Sequence, residues 1–295
     1  MSQKLWRVVL AGATVSVLAA CSGNPDAPST PEGEPAVEIV ARDSSVGLVF
    51  PLDSYRMTES ETRAVDQATK ILAAQCMKRF GFVSEFPRLR YPSDADSHAR
   101  LYGVTDGAEA QQYGYRHPPE AEFEATPVQS EVSAQENAVL LGRTPEYRGR
   151  KVPEGGCMGE SSAKVRTVPN RVKNIRLADD LIMESSSRAQ SDSRVLEAFS
   201  RWSACLAAKG YSYKKPTDVM QDDKLMIDPT ASTREKALAV ADVNCKKKAN
   251  VVGVWSSVEM AYQSEAVERH AEEMQQIKEN LKSQVVNANR LLTGT

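Results

Sequence analysis

The residues best suited to chemistry are five cysteines and three histidines. Cys21 directly follows an uncharged apolar run, whereas Cys76, Cys157, Cys205 and Cys245 lie further along the chain. None of the cysteines forms a C-x-x-C spacing, so we expect no zinc site and no other metal site. The four later cysteines form an even set, which in an oxidising compartment predicts two disulfides.

The histidines do not form a recognisable catalytic pattern. His98, His117 and His270 are far apart in sequence, and there is no G-x-S-x-G turn to present a nucleophilic serine. Acidic residues such as Glu160 are plentiful, but no spacing pairs two of them across a substrate. Neither a G-x-G-x-x-G loop nor a Walker loop is present. We therefore expect no enzymatic activity and no cofactor.

A tyrosine-rich stretch is the better candidate for binding. Tyr102, Tyr113, Tyr115 and Arg116 lie in a polar, irregular segment from Tyr91 to Lys151. Tyrosine rings offer apolar faces to sugars or peptides, and the phenol supplies a hydrogen bond. These four residues are the predicted ligand or partner contacts. The alternative is a loop that its own tyrosines pack onto the core.

The N-terminal residues have the pattern of a secretory signal peptide. Lys4 and Arg7 precede an uncharged apolar segment from Val8 to Ala20, which matches the n-region and h-region of a signal peptide. A membrane-spanning helix needs about 20 apolar residues, and this segment is shorter. We expect residues 1–20 to be removed rather than retained as a membrane span.

The end of this segment, Leu18-Ala19-Ala20-Cys21, resembles the lipobox of bacterial lipoproteins. The resemblance implies cleavage before Cys21 and a diacylglyceryl group on its sulfur. Two or more acyl chains anchor a protein stably, whereas one chain binds only marginally. We expect Cys21 to hold the protein in the cell membrane on the extracytoplasmic face. An ordinary cleavage site followed by an unpaired cysteine is the alternative.

Charge and composition limit the classes of partner that we expect the protein to bind. Removing residues 1–20 takes away two cations and no acids, so the net charge changes from −2 to −4. This mild acidity argues against nucleic acid and against polybasic membrane targeting. Residues 21–45 are predicted to be the lipidated cysteine and a flexible tether, because Ser22 to Pro35 is rich in proline, glycine and serine. Val46 to Phe50 is predicted to be an edge strand.

Residues 46–165 are predicted to form a first helical unit that contains the tyrosine-rich segment. Thr58 to Glu61 has the capping-box pattern and opens a helix from Glu59 to Arg79, with Gly81 as its C-terminal cap. Val65, Ala68, Leu72 and Cys76 follow at helical spacing, which places the cysteine on a buried stripe. A turn at Gly155 and Gly156 is then predicted directly before Cys157.

Residues 166–295 are predicted to form a second helical unit. Helices are expected at about Asn170 to Ala189 and Asp192 to Lys209. A second capping box at Ser232 to Glu235 opens a helical pattern that runs nearly to Leu292, interrupted only by Gly253. Its last part carries a coiled-coil-like seam at Val267, His270, Met274, Ile277, Leu281, Val285, Ala288 and Leu292. That seam packs either on earlier helices of this chain or on a partner.

Two stretches of the chain match each other. "CMKRFGFVSEFP" begins at Cys76 and "CLAAKGYSYKKP" at Cys205, with cysteine, glycine and proline aligned without a gap. Four cysteines allow three connectivities. If the match is an internal duplication, each unit closes its own bridge, Cys76 with Cys157 and Cys205 with Cys245. Similar local sequences without common ancestry remain the alternative.

The lipobox, "VPEGGCMGE", "WSACLAAKGYSYKKP" and "VADVNCKKKANVVGVWSSVEMAYQ" together resemble a group of uncharacterised actinobacterial surface lipoproteins. The resemblance implies an extracytoplasmic helical domain and no particular activity. We expect a mainly α-helical domain with two disulfides, a long irregular insertion and a long C-terminal helix.

The function expected from the sequence is a non-catalytic binding or accessory role in the cell envelope. The partners would be the bilayer, through acylated Cys21, and an envelope protein or a wall polymer. Two alternatives remain open. One is the solute-binding subunit of a transporter, which would require strand–helix alternation that the sequence lacks. The other is a cell-wall enzyme without a recognised motif.

Overall fold

The computed structural model describes residues 33–86, 98–118, 132–168, 172–225 and 230–294. These residues form a mainly helical fold, as the sequence predicts. Its helices are α1 (Glu59–Arg79), α2 (Gly107–Tyr113), α3 (Ala134–Leu140), α4 (Gly156–Val165), α5 (Leu177–Ser191), α6 (Ser193–Ala207), α7 (Pro216–Met220), α8 (Thr233–Ala249), α9 (Val251–Arg269) and α10 (Ala271–Thr293). Short 3-10 helices lie at Pro51–Tyr55 and Asp223–Leu225, and β1 (Glu146–Tyr147) pairs antiparallel with β2 (Arg150–Lys151). Within these ranges no helix is both long and apolar enough to cross a bilayer.

Helix α1 has the predicted bounds because its capping box forms in full. The Thr58 hydroxyl accepts from the Glu61 backbone N–H at 3.2 Å, and the Glu61 carboxylate accepts from the Thr58 N–H at 2.9 Å. Its buried stripe, with Val65 and Ala68, packs against α4 and α10. The sequence signal is local here, so the prediction needs no tertiary information.

The two matching stretches fold alike. Gly81 after α1 and Gly210 after α6 both adopt the left-handed conformation, with φ of 84° and 86°. The Phe82 N–H then donates to the Met77 carbonyl at 3.2 Å, and the equivalent bond in the second stretch measures 3.1 Å. This six-to-one bond is the Schellman cap, which satisfies carbonyls that the helix end leaves unpaired.

Each cap stands beside a disulfide. Cys76 pairs with Cys157, with Cα atoms 5.5 Å apart, and Cys205 pairs with Cys245 at 5.6 Å. This is the pairing that the two-unit interpretation predicts. We call α1, α3, α4 and the β1–β2 hairpin the first disulfide unit, and α6 with α8 the second disulfide unit. The bridge joins α1 to α4 in the first and α6 to α8 in the second.

The long C-terminal helical pattern is three helices rather than one. The chain breaks at Asn250, which adopts a left-handed φ of 49°, and at His270. Gly253, predicted to be the interruption, lies inside α9. A Cβ atom at Gly253 would collide with the Val40 carbonyl oxygen. Its role is therefore close approach of the N-terminal segment, a use of glycine that periodicity does not reveal.

The apolar seam of α10 is buried within the chain. Met274 and Ile277 pack with Leu52, and Ala288 packs with Val65 of α1. Of the two alternatives for this seam, the structure shows packing on earlier parts of the same chain. Helix α10 therefore packs on α1 of the first disulfide unit, as α4 does.

The structure corrects the prediction of a flexible tether over residues 21–45 within its described part. From Gly33 onward the chain is bound to the domain. Glu34 accepts hydrogen bonds from the N–H and hydroxyl of Ser193, at 2.7 and 2.8 Å. The Val40 N–H donates to the Ser257 hydroxyl at 3.2 Å. The composition of this segment predicted a flexible tether. Composition could not reveal these contacts, because their partners lie more than 150 residues away in sequence.

Three further predictions differ from the structure. Val46 to Phe50 is not a strand: Leu48 and Phe50 are buried while Val46 and Val49 are exposed, and the segment turns before the 3-10 helix. The stretch predicted to be irregular contains α2, α3 and the hairpin. Gly107 is the first residue of α2, and Asp106 caps that helix by accepting from the Glu109 N–H. The helix expected from about Asn170 begins only at Leu177, and residues 169–171 lie outside the described ranges.

Candidate functional site

Residues 98–118, which we call the tyrosine segment, lie on α8 and α9, with α2 at their centre packed against α8. Tyr102 is the deepest of the predicted contact residues, with 1% of its surface exposed. Its hydroxyl donates to the Glu259 carboxylate at 2.9 Å. Its ring centroid lies 4.7 Å from that of Trp255. Tyr102 therefore fills the core rather than the surface.

Tyr115 and Arg116 are held by a second acid. The Tyr115 N–H donates to Glu235 at 3.2 Å, and the Arg116 guanidinium lies 3.4 Å from the other Glu235 oxygen. The sequence assigned the Glu235 side chain to a capping box at Ser232. The Ser232 hydroxyl does cap α8, but the carboxylate turns inward instead and binds the tyrosine segment.

Asp242 is the centre of a third group of contacts. Its carboxylate accepts from the Tyr115 hydroxyl at 3.2 Å, from the Trp202 indole N–H at 2.8 Å and from the Lys246 ammonium at 2.9 Å. Lys246 also donates to the Val104 carbonyl at 3.1 Å. Asp242 and Lys246 are both nearly fully buried. A buried ion pair is tolerable only when further hydrogen bonds satisfy it, and here they do.

Burial changes the ionisation of this network. It raises the pKa of the Glu259 carboxyl to about 7, although hydrogen bonds from Tyr102 and Gln263 oppose that effect. Burial, followed by the neighbouring carboxylates Glu259 and Asp242, raises the pKa of the Tyr102 and Tyr115 phenols. Both phenols therefore stay protonated and act as donors.

The predicted contacts are thus divided. Tyr102 and Tyr115 are buried inside the domain. This agrees with the alternative interpretation of the sequence, a loop that its own tyrosines pack onto the core. Tyr113 and Arg116 are half-buried at its edge. Cys21 lies outside the described residues, and the other four cysteines form the two bridges.

Sequence reasoning missed the three acids that hold the tyrosine segment. Glu235, Asp242 and Glu259 lie 120 to 157 residues from the tyrosines they bind. One local signal was available: Asp242 and Lys246 are four apart on a helix, with apolar neighbours on the same face. A run of three lysines, Lys246-Lys247-Lys248, is typical of a solvated helix face, yet Lys246 is buried.

Two grooves lie on the described surface. One groove of about 590 Å³ lies between the end of α4 and α10, with Lys164 and Lys282 among its lining residues. Another of about 430 Å³ lies beside His270 and the start of α10. No three side chains of metal-binding type cluster anywhere in the described ranges.

Comparisons with known proteins give no relative: no family model, no curated protein and no solved structure matches this chain.

Proposed function

We propose that the protein is a membrane-anchored extracytoplasmic lipoprotein, attached through acylated Cys21, that serves as a non-catalytic binding or accessory protein of the cell envelope. One observation carries this proposal. An uncharged apolar run of signal-peptide length ends in Leu18-Ala19-Ala20-Cys21, the lipobox pattern of bacterial lipoproteins. The proposed kinship with actinobacterial surface lipoproteins rests on the same residues and on the cysteine-containing stretches.

The two disulfides support an oxidising location outside the cytoplasm. Cys76, Cys157 and Cys245 are buried and Cys205 is partly buried. Both bridges join separate helices, and both stand beside a capped helix end. All four later cysteines are consumed in this way. Cys21 is therefore left as the one cysteine with no bridge, which agrees with a separate use of its sulfur.

The acids of the buried network are poor candidates for catalytic groups. Each of its acids, Glu235, Asp242 and Glu259, is closed off from solvent and already accepts hydrogen bonds from the tyrosine segment. Catalytic acids must reach a substrate proton. An envelope partner or wall polymer would meet the outer surface of the domain instead.

The anchor is tested by comparing Cys21→Ser with Ser22→Ala in living cells. Cys21→Ser removes the acylated sulfur, so we expect the protein to leave the detergent-rich phase in a phase-partitioning assay. Ser22→Ala changes the neighbouring residue and should leave the protein membrane-bound. Equal partitioning of the two variants would refute the lipid anchor.

The accessory role is tested by crosslinking in the same cells, followed by mass spectrometry of what is captured. We expect a discrete membrane or wall-bound protein that is captured only when Cys21 is intact. Capture of the same proteins by Cys21→Ser would refute an anchored accessory role.

A further inference from the structure

Exposed cations surround the β1–β2 hairpin on the surface of the first disulfide unit. Residues 141–151 hold four cations and one carboxylate, Glu146, for a net charge of +3 in a chain whose overall charge is −2. We call these cations, together with two at the end of α1, the hairpin patch: Lys78, Arg79, Arg143, Arg148, Arg150 and Lys151. The low net charge of the chain is an average that hides this local excess.

The hairpin is fixed against the end of α1. The Arg150 guanidinium donates to the Arg79 carbonyl, and the ring of Tyr147 lies 5.1 Å from that of Phe82. Arg148 and Gly149 form a tight turn in which both residues have positive φ, the conformation that matches the strand twist in two-residue hairpins. The cations therefore project from a defined scaffold.

Few of these charges are neutralised inside the protein. Arg79 pairs with Glu160, which also pairs with Lys164. Within the described ranges, no carboxylate lies within ion-pair distance of Arg143, Arg148 or Lys151. Glu146 faces Lys151 across the hairpin register without forming an ion pair. The patch therefore presents unpaired positive charge to its surroundings.

Apolar groups accompany the charge. Val83 directly follows Phe82 and is 82% exposed, and Leu141 begins the basic segment with 41% exposed. Tyr147 is half-buried against Phe82. Cations mixed with aromatic and aliphatic side chains are typical of surfaces that sit at the headgroup level of a bilayer. A soluble polyanion would have no use for the exposed aliphatic groups.

We infer that the hairpin patch docks the domain on anionic phospholipid headgroups. The inference rests on the proposed lipid anchor only to bring a bilayer near. Cys21 and Gly33 are 12 residues apart, a covalent length of at most about 43 Å. Each lysine or arginine at an anionic surface strengthens binding about fivefold at low salt.

The test uses the chain from Ser22 to Thr295, which contains every described contact and lacks the anchor. Its sedimentation is measured with vesicles of phosphatidylcholine alone and of phosphatidylcholine mixed with phosphatidylglycerol. We expect binding only to the mixed vesicles, weakening as salt screens the charges. Arg143→Glu with Arg148→Glu should weaken this binding by more than about tenfold.

The matched control is Arg234→Glu with Lys248→Glu, the same charge change at two exposed positions of α8. It should bind like the unsubstituted chain. Equal losses in the two double variants, or no binding of the unsubstituted chain to mixed vesicles, would overturn the docking. So would binding to soluble polyphosphate with none to vesicles. Because the tested chain lacks Cys21, its failure leaves the anchor standing, and failed acylation of Cys21 leaves vesicle binding standing.

Discussion

The two disulfide units end their first helices with the same cap and bridge, yet they differ in what surrounds the bridge. Cys205 and Cys245 belong to a large core built around Trp202, with the tyrosine segment on top. Cys76 and Cys157 belong to a cluster of a few side chains, including Phe80 and Val152. The difference suggests that a shared local motif has been placed in two settings. We expect burial to contribute most of the stability of the second disulfide unit, and the covalent bridge to contribute most of the stability of the first.

Replacing the first bridge should have the largest effect. Cys76→Ala with Cys157→Ala opens a loop of 81 residues, so the chain-entropy model gives a loss of about 4.5 kcal/mol in the free energy of unfolding. Hydrogen exchange should show α1 and α4 losing protection while α8 and α9 keep theirs. Uniform loss across the domain would contradict the comparison.

The matched change in the second unit is Cys205→Ala with Cys245→Ala. Its loop spans 40 residues, which corresponds to about 4 kcal/mol. Because the surrounding core is large, we expect the near-UV circular dichroism of Trp202 to persist in this variant. Its disappearance would show that the second unit also depends on its bridge for packing.

The buried network of the second unit is tested by Lys246→Met. This change leaves the Asp242 carboxylate buried without its cation, which should cost about 3 to 5 kcal/mol. Lys248→Met, at an exposed position of the same helix, should change stability by less than about 0.5 kcal/mol. Urea denaturation of the two variants measures the difference. A cost below about 1 kcal/mol for Lys246→Met would contradict the stabilising role of the buried Asp242–Lys246 pair.

Glu259 makes the second unit pH-dependent. Its folded-state pKa of about 7 lies above the ordinary 4.5, so the folded protein binds this proton more tightly than the unfolded chain does. The resulting stabilisation is complete below about pH 4.5 and is lost as pH rises through 7, a change of about 3 kcal/mol.

Glu259→Gln should abolish that dependence, because the amide can still accept from Tyr102 and does not ionise. Relative to the unsubstituted protein, the variant should gain stability between pH 5 and pH 8. Glu268→Gln, exposed on the same helix, should leave the pH profile unchanged. Parallel profiles for the unsubstituted protein and Glu259→Gln would contradict the assignment.

The smallest effect concerns the N-terminal segment. Glu34→Ala removes the acceptor for the Ser193 N–H and hydroxyl, so we expect a loss of about 1 kcal/mol. Glu38→Ala, at an exposed position nearby, is the control. Limited proteolysis should cut the Glu34→Ala variant between Gly33 and Asp43 faster than the control. Equal cutting rates would indicate that the segment is held by its other contacts.

The sequence could predict those features that depend on interactions between residues close together in the chain. The capping box predicted the start of α1, and Gly81 predicted its C-terminal cap. The breaks at Asn250 and His270 could not be found in the same way, because neither residue is a strong helix breaker. Asn250 instead accepts from the Arg42 N–H at 3.1 Å, a contact that only the assembled fold supplies.

For a related reason the sequence could not show that two of the four candidate contacts, Tyr102 and Tyr115, are buried. Tyrosine in an irregular segment is compatible with both ligand binding and core packing, and the choice depends on distant acids. Tyr102 meets Glu259 across 157 residues of sequence. The hairpin patch shows the converse. Each of its cations is visible in the sequence, but only the fold brings Arg79 of α1 beside Arg150 of the hairpin.

The most direct test of the anchored lipoprotein is mass spectrometry of its N-terminal peptide after purification from its own membrane. The account predicts a peptide that begins at Cys21 and carries the mass of a diacylglyceryl group on sulfur. A peptide that begins at Met1, or one in which Cys21 carries no lipid, would contradict it.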